Sequence, residues 1–401
     1  MELGNQQKQV FDDLKKWIND NYRLKSLSYK VLFGYAGTGK TTISTLLRQE
    51  FSNLKFSFLA FTGKASSVLR KTLSDFKSID ENDFIGTIHS FIYKPIIKFN
   101  PITKKDELVG WEIKNPEENT FDIMIVDEFS MLDNKLLNDL KYFCKEKLIL
   151  FSGDPFQLGP ISENSNSLKN FDYLLTDIHR QAMDNPIIRI SSFIRSNDYT
   201  NLKYGKFSED VYKIKFNFDD FDYLVDRVDL FKSEVICLCY TNISRKKLNN
   251  KIREKKSFNI ETPYPGEKLI CLQNNKNLGI YNGEIGTCVY SLFKDKDILD
   301  IFIDFEDKSF SLDVSSIIFS DKEHKINLIE LYRKNSNNKK NVCYFDFGYT
   351  ITVHKSQGSS WEKVIVLDQK ENYFKNKELY KRWLYTAITR SKQKLLILSN
   401  I

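Results

Sequence analysis

Across its 401 residues the chain has no apolar run long enough to cross a membrane, no CxxC pair, no internal repeat and no low-complexity linker. Each absence removes a class of protein. A membrane-spanning helix needs about 20 apolar residues in a row, so none is expected. The opening MELGNQQKQV lacks the apolar core of a signal peptide, and a cytoplasmic setting is the expectation. The six cysteines (Cys144, Cys237, Cys239, Cys271, Cys288 and Cys343) include no metal-type spacing. Cys237 and Cys239 alternate in a strand-like run with no histidine nearby, so all six read as reduced core residues. At 28% charged and 41% hydrophobic residues the chain is an ordinary globular protein rather than a disordered one, long enough for two or three domains. A net charge of +7 is a mild basic bias, which permits a nucleic-acid partner without showing one.

What is present begins at Val31-Leu32-Phe33, a buried strand that runs into Gly34-Tyr35-Ala36-Gly37-Thr38-Gly39-Lys40-Thr41-Thr42. The pattern G-x-x-x-x-G-K-[ST] is complete, between a strand and a helix over Lys40 to Phe51. Gly34, Gly37 and Gly39 let backbone N–H groups turn around an anion, with Thr38 and Thr42 in the same cradle and the helix's positive end aimed at it. Lys40 then reaches the β- and γ-phosphates, and the Thr41 hydroxyl is placed to ligate Mg²⁺. A Gly-rich turn before an ordinary helix is the bland alternative, and the flanking elements disfavour it.

Upstream, Val10, Phe11, Leu14, Trp17 and Ile18 mark one face of a helix over residues 5 to 20. Downstream, the strand Phe56–Phe61 ends in Thr62-Gly63-Lys64-Ala65, and Thr87-Ile88-His89-Ser90 follows a loop. Singly, each is more economically a helix cap. Residues 91 to 119 break the strand–helix alternation with Tyr93, Pro95, Phe99, Pro101 and Trp111 among lysines, which reads as a protruding hairpin. Ile123–Val126 is a buried strand ending in Asp127-Glu128. The first acid suits Mg²⁺ and the second suits an attacking water. Leu148–Phe151 ends in Ser152-Gly153-Asp154-Pro155-Phe156-Gln157, where the Gln157 amide is placed to sense a γ-phosphate. This alternation predicts a doubly wound parallel sheet with its ligand at the carboxyl ends of the strands.

A second block opens near residue 178, so that the two domains run 1–178 and 179–401. Residues 197–232 are polar and mixed, with no clear pattern. A strand over Glu234–Tyr240 precedes Thr241-Asn242-Ile243-Ser244-Arg245 and a basic helix through Arg253. Short strand-like runs between about 284 and 342 suggest a small β insertion, after which strand–helix alternation is expected to return with Phe345–His354. A second α/β block without its own phosphate loop would owe a nucleotide positive charge, and Arg180 and Arg390 are the candidates.

GYAGTGKTT, LAFTGKASSVL, TIHS, IMIVDEFSM, GDPFQLGPI, LTDIHRQ, YTNISR, TVHKSQGSSWEKV and LYTAITRSK occur in that order. Together they resemble the motif series of the superfamily 1 helicases, in the RecD-like branch with 5′-to-3′ polarity. The resemblance implies two RecA-like motor domains, α/β in class, with a strand-separating pin at about 91–119 and an SH3-like insertion at about 284–342. It implies ATP and Mg²⁺ as cofactors, single-stranded and forked duplex DNA as partners, a single-stranded-DNA-binding protein or replisome component as a further partner, no membrane, and a monomeric motor. By this likeness Gln7 recognises adenine, Lys40 the phosphates, and Thr41 with Asp127 the Mg²⁺. Glu128 activates water, Gln157 senses the γ-phosphate, and Arg180 and Arg390 stabilise the transferring group. Thr62, Gly63, Lys64 and His89 in the first domain, with Thr352, His354, Lys355 and Gln357 in the second, are DNA contacts.

The sequence departs from the family pattern twice. Gly159 stands where Pro is usual, and Gln357-Gly358 continues as Ser359-Ser360-Trp361-Glu362 rather than Ser-Glu. Pro95, Phe99 and Pro101 compete as the wedge. A phosphate-loop kinase would leave the second block unexplained, and a binding module with a vestigial motor would not need Lys40, Asp127, Glu128 and Arg390 intact.

Overall fold

Strands that are apolar at every position, rather than at every second one, must be covered on both faces. Four such strands organise the first part of the molecule. The computed structural model describes residues 3–24, 26–100, 105–118, 120–159, 170–178, 184–196, 202–217, 221–258, 261–275, 278–306, 308–320, 326, 331, 342–369 and 376–400. The chain divides into two compact units, residues 1–184 and 185–401.

In the first unit, β1 (Ser28–Gly34), β2 (Phe56–Ala60), β3 (Phe84–Thr87), β6 (Ile123–Val126), β7 (Leu148–Gly153) and β8 (Tyr173–Leu175) form a six-stranded sheet in the order β3-β2-β6-β7-β1-β8. All its pairings are parallel. Successive side chains point to opposite faces. Leu32, Ile123, Ile125, Leu148 and Leu150 pack under α1 (Asn5–Asn21), α2 (Lys40–Glu50) and α3 (Gly63–Asp75), which contribute Leu14, Trp17, Leu47 and Leu73. Val31, Phe33, Met124, Val126, Ile149 and Phe151 pack on the other face against Ile88 and Ile92 of α4 (Ile88–Ile92) and Leu136, Leu137 and Leu140 of α5 (Asn134–Phe143). Between α4 and β6, β4 (Tyr93–Asn100) and β5 (Lys105–Ile113) form a separate two-stranded antiparallel ladder running from Tyr93↔Ile113 to Asn100↔Lys105. Phe99 and Trp111 on this hairpin are 63% and 50% exposed.

The second unit contains two sheets. β9 (Gly205–Ser208), β10 (Val211–Phe216), β11 (Val235–Cys239), β17 (Thr350–Thr352), β18 (Trp361–Asp368) and β19 (Ser391–Asn400) are ordered β17-β11-β18-β19-β10-β9, parallel except at β9. The patternless stretch 197–232 thus supplies β10, which pairs with the last strand of the chain. β12 (Lys268–Cys271), β13 (Ile285–Asp295), β14 (Ile298–Asp304), β15 (Ser309–Ser315) and β16 (Phe345–Phe347) form an antiparallel sheet in the order β15-β14-β13-β12-β16.

This antiparallel sheet reaches beyond the run 284–342 at both ends. Phe345–Phe347 does not rejoin the parallel alternation; it pairs with β12, Leu269 opposite Phe347. Both strands are short and wholly buried, which in sequence looks like a parallel-sheet strand. The chain changes sheets at Gly348, where a Cβ would lie 3.3 Å from the Ile270 backbone nitrogen. Asn249 clamps that crossover, donating to the Phe347 and Thr350 carbonyls (2.7 and 3.2 Å) and accepting from the Thr350 N–H (2.8 Å).

The helix Asn242–Lys255, basic in sequence, buries three of its cations, while Lys247 and Lys255 stay exposed. Arg245 and Lys246 are 2% exposed and meet Asp346 at 2.7 and 3.0 Å. Arg253 bonds Glu267 at 2.7 Å and lies 3.8 Å from the centre of the Phe347 ring. Burial pushes Asp346 up, but Arg245 and Lys246 outweigh it and hold the carboxyl below its ordinary 3.8. The stability from this group is therefore present above pH 3.8 and is lost as pH falls through the lower folded value. Asp346→Ala leaves two buried cations unpaired and should destabilise the second unit by about 3–5 kcal/mol, read from urea unfolding at pH 7. A loss of less than about 1 kcal/mol, the surface-pair range, would contradict this reading.

Candidate functional site

The β1–β7 and β7–β6 ladders fix what emerges from the sheet. Leu32 lies opposite Ser152 and Val126 opposite Phe151, so Gly34, Ser152–Asp154 and Asp127–Glu128 leave three adjacent strands at the same level. Gly37 and Gly39 take φ of +79° and +82°, left-handed values that side chains disfavour. Gly39 caps α2, and a Cβ there would lie 2.2 Å from Gln7 Nε2. Thr38 is fully buried and donates from its hydroxyl to the Tyr35 carbonyl at 2.8 Å. Lys40 Nζ donates to the carbonyls of Gly34 (2.7 Å) and Tyr35 (3.2 Å), folding over the loop it would share with a phosphate. The Thr41 hydroxyl makes no hydrogen bond among the described residues, and Thr42 follows it on the first turn of α2.

Gln7 is 3% exposed. Its Nε2 donates to the Thr38 carbonyl (2.8 Å) and its Oε1 accepts from the Gly4 N–H (3.0 Å). The amide is thus committed to the phosphate loop, and reading an adenine edge requires exchanging those bonds. Gln6, which sequence reasoning passed over, ties the start of α1 to the end of β8. It accepts from the N–H groups of Thr176 and Asp177 (2.9 and 3.0 Å) and donates to the Leu174 carbonyl (3.0 Å).

Desolvation pushes the Asp127 carboxyl above the ordinary carboxylate range. The nearby Lys40 ammonium, the Glu128 N–H and the Ser152 hydroxyl work against that push. Ser152 is the second residue missed in sequence. Its only signal was its place at the end of a buried strand, and the register aims its hydroxyl at Asp127. Glu128 adopts φ 54°, ψ 36°, a left-handed conformation that costs a residue with a Cβ on the order of 1–3 kcal/mol. Gln157, 7% exposed, sits in a turn where its N–H bonds the Asp154 carbonyl at 3.3 Å and Asp154 Oδ1 accepts from the Phe156 N–H at 2.9 Å. Arg180 lies outside the described residues.

A second group occupies the same carboxyl edge farther along, after β2 and β3. Thr62 caps α3 by accepting from the Ala65 N–H (3.2 Å), with Gly63 buried behind it. The half-buried Lys64 side chain makes no hydrogen bond or ion pair among the described residues. His89, in α4, is exposed, with its ring 6.1 Å from Phe61 and 5.6 Å from Tyr93. Both are helix starts that offer N–H groups, suited to phosphate oxygens.

In the second unit Thr352 repeats the device at the end of β17, accepting from the Lys355 N–H at 3.4 Å. Burial lowers the pKa of His354, which favours the neutral ring at pH 7, and brings Lys355 down to about 8. The Lys355 ammonium makes no hydrogen bond or ion pair among the described residues, and Gln357 is 2% exposed. Arg390 does not join this group. It stands at the amino-terminal start of β19, the opposite edge of the sheet, and donates to the carbonyls of Thr386 (3.1 Å) and Ser359 (3.4 Å). Glu362 pairs with Lys392 at 3.3 Å.

Ser152→Ala removes the hydroxyl that orients Asp127. Apparent Mg²⁺ affinity in nucleotide hydrolysis should fall about 10–100-fold with the fold intact. An unchanged Mg²⁺ titration would refute the role.

Residues 21–210 match the AAA domain, and residues 347–398 the UvrD-like helicase C-terminal domain. The RecBCD enzyme subunit RecD of Buchnera aphidicola subsp. Schizaphis graminum is 24% identical, the match covering 91% of this chain and 69% of RecD. The ATP-dependent DNA helicase dda of Enterobacteria phage T4 is 26% identical, covering 66% of this chain and 62% of its own length. A crystal structure of Bacteroides Pif1 bound to single-stranded DNA superposes with a TM-score of 0.56 at 17% identity, over 99% of this chain and 92% of that one. That likeness is one of fold, two RecA-like domains. Both domain matches, these relatives and that fold together support a superfamily 1 helicase of the RecD/Pif1-like group.

Proposed function

We propose that the chain is an ATP-dependent DNA helicase that moves 5′ to 3′ along single-stranded DNA and opens duplex ahead of it. The observation that carries the reading is the meeting of Lys40, Asp127 and Ser152 at the ends of three adjacent strands, on the same edge as the helix starts at Thr62 and His89. A nucleotide triphosphate and a DNA backbone can then bind to one rigid sheet without competing.

In this reading Gly34, Gly37, Thr38, Gly39 and Thr42 form the cradle, Gln7 reads the adenine, and Lys40 neutralises the β- and γ-phosphates. Asp127 and Thr41 offer one carboxylate and one hydroxyl, a donor set that suits Mg²⁺ sharing its remaining positions with phosphate oxygens and water. Mg²⁺ held there would draw charge from the phosphates. Glu128 accepts the proton of the attacking water as the bond to the γ-phosphorus forms and ADP leaves. Gln157 senses the γ-phosphate, and Arg180 and Arg390 stabilise the transferring group. Thr62, Gly63, Lys64 and His89 grip DNA in the first unit, and Thr352, His354, Lys355 and Gln357 in the second. Turnover alternates the two grips. The 93–113 hairpin serves as the pin and the antiparallel sheet as the SH3-like element. A single-stranded-DNA-binding protein or replisome component is the partner class such a monomeric, cytoplasmic motor would meet.

Strand separation on duplexes with a 5′ or a 3′ single-stranded tail tests this directly. Opening of the 5′-tailed duplex alone is the expected outcome. Opening of the 3′-tailed one alone would overturn the polarity, and DNA-stimulated hydrolysis without opening would leave a translocase. Lys40→Ala should abolish turnover and retain DNA binding; residual turnover at the wild-type rate would overturn the site. Arg390→Ala should slow hydrolysis about 10³-fold or more, with ATP affinity much less affected, and parallel losses in both would count against it.

A further inference from the structure

A two-stranded ladder is marginally stable by itself and cannot set its own direction. The β4–β5 hairpin pairs with no other strand among the described residues, so its direction is decided at its root. There, Tyr93 is at once the residue that ends α4 and the first residue of β4. Its hydroxyl donates to Asp139 Oδ2 at 2.5 Å, reaching 46 positions along the chain to α5, a helix anchored in the core by Leu136, Leu137 and Leu140. The same ring lies 5.6 Å from that of His89 at an interplanar angle of 36°. The returning strand is fixed beside it. The Lys114 N–H donates to the Ile92 carbonyl (2.8 Å), and Lys114 Nζ to the Ser90 carbonyl (3.1 Å).

We propose that Tyr93 and Asp139 form a brace that orients the hairpin against α5 and the His89 helix α4, making them positioning residues for strand separation rather than for hydrolysis. The inference rests on the hairpin's role in opening duplex given above. The chemistry suits a permanent brace. Desolvation and the bond to Asp139 push the Tyr93 phenol well above its ordinary value, so it remains a donor at any working pH. A hydroxyl-to-carboxylate bond is charge-assisted, short and directional, which a contact between apolar side chains is not. Tyr93 also touches one DNA-contact candidate and one core helix. A tilt at this residue would therefore move the hairpin relative to the strand that His89 holds, and leave Lys40, Asp127 and Glu128 untouched.

Tyr93→Phe keeps the ring against His89 and deletes only the hydroxyl. Asp139→Ala deletes the acceptor, and Asp139→Asn retains an acceptor oxygen. Two readouts are taken on the full chain: opening of a forked duplex against single-strand-stimulated ATP hydrolysis, and hydrogen exchange of backbone amides. With Tyr93→Phe or Asp139→Ala, opening should slow about tenfold, the scale of one lost hydrogen bond to a charged group, while hydrolysis stays within about twofold. Exchange should quicken in 93–114 and nowhere else, and Asp139→Asn should restore most of both. Unchanged exchange in 93–114, or hydrolysis falling in step with opening, would overturn the brace. If the wild-type chain opens no fork, the proposed function fails, and the exchange pattern still decides whether the brace exists.

Discussion

The in-register parallel ladder that joins β6 and β1 to the two sides of β7 sets the chemistry of the first unit. A parallel pair ends with its backbone groups at one level, so three loops that start from adjacent strands start together. From that constraint follow the proximity of Lys40 to Asp127, the reach of the Ser152 hydroxyl and the strained left-handed turn at Glu128. A one-residue slip between β6 and β7 would exchange the faces of Met124 and Ile125 and carry Asp127 away from Ser152. Burial of both sheet faces forbids that slip, and so the hydrophobic core protects a polar site it does not line.

Nucleotide and nucleic-acid candidates divide along this edge by strand order rather than by sequence distance. The phosphate loop, Asp127 and the Ser152 turn follow the central strands β1, β6 and β7, whereas Thr62 and His89 follow β2 and β3. In the second unit, Thr352 and Arg390 occupy opposite edges of one sheet, and the short segment 353–360 spans the height between them. Thr62, Thr87, Thr241 and Thr352 all cap helices that begin where a strand stops. A side-chain oxygen that takes one N–H leaves the other N–H groups of the first turn facing outward.

Much of the first unit was legible in the sequence because its signals are local. An apolar run, a glycine at a left-handed turn and an acid at a strand end each declare themselves within a few residues. What escaped depends on partners distant in the chain. Ser152 matters only because β7 lies beside β6, Gln6 because α1 starts beside β8, and Tyr93 because α5 passes the root of the hairpin. The burial of Arg245, Lys246 and Arg253 in the basic helix after Thr241 was hidden for the same reason. The acids they meet are Asp346, about a hundred positions on in β16, and Glu267, just before β12, and neither is visible from the helix's own sequence. β16 looked like a parallel strand because its burial, among residues of both sheets and of the helices beside them, leaves no alternating pattern to mark an antiparallel strand.

The crossover at Gly348 bears on how the second unit acquires its structure. Asn249 grips the chain on both sides of that glycine, and the acids that neutralise Arg245, Lys246 and Arg253 lie in the antiparallel sheet (Asp346) or immediately before it (Glu267). The parallel sheet cannot finish burying its own helix until the inserted strands arrive. Although the antiparallel sheet is continuous in sequence and has the look of a removable module, it is a co-folding partner, and the two sheets should assemble and melt in a single cooperative step.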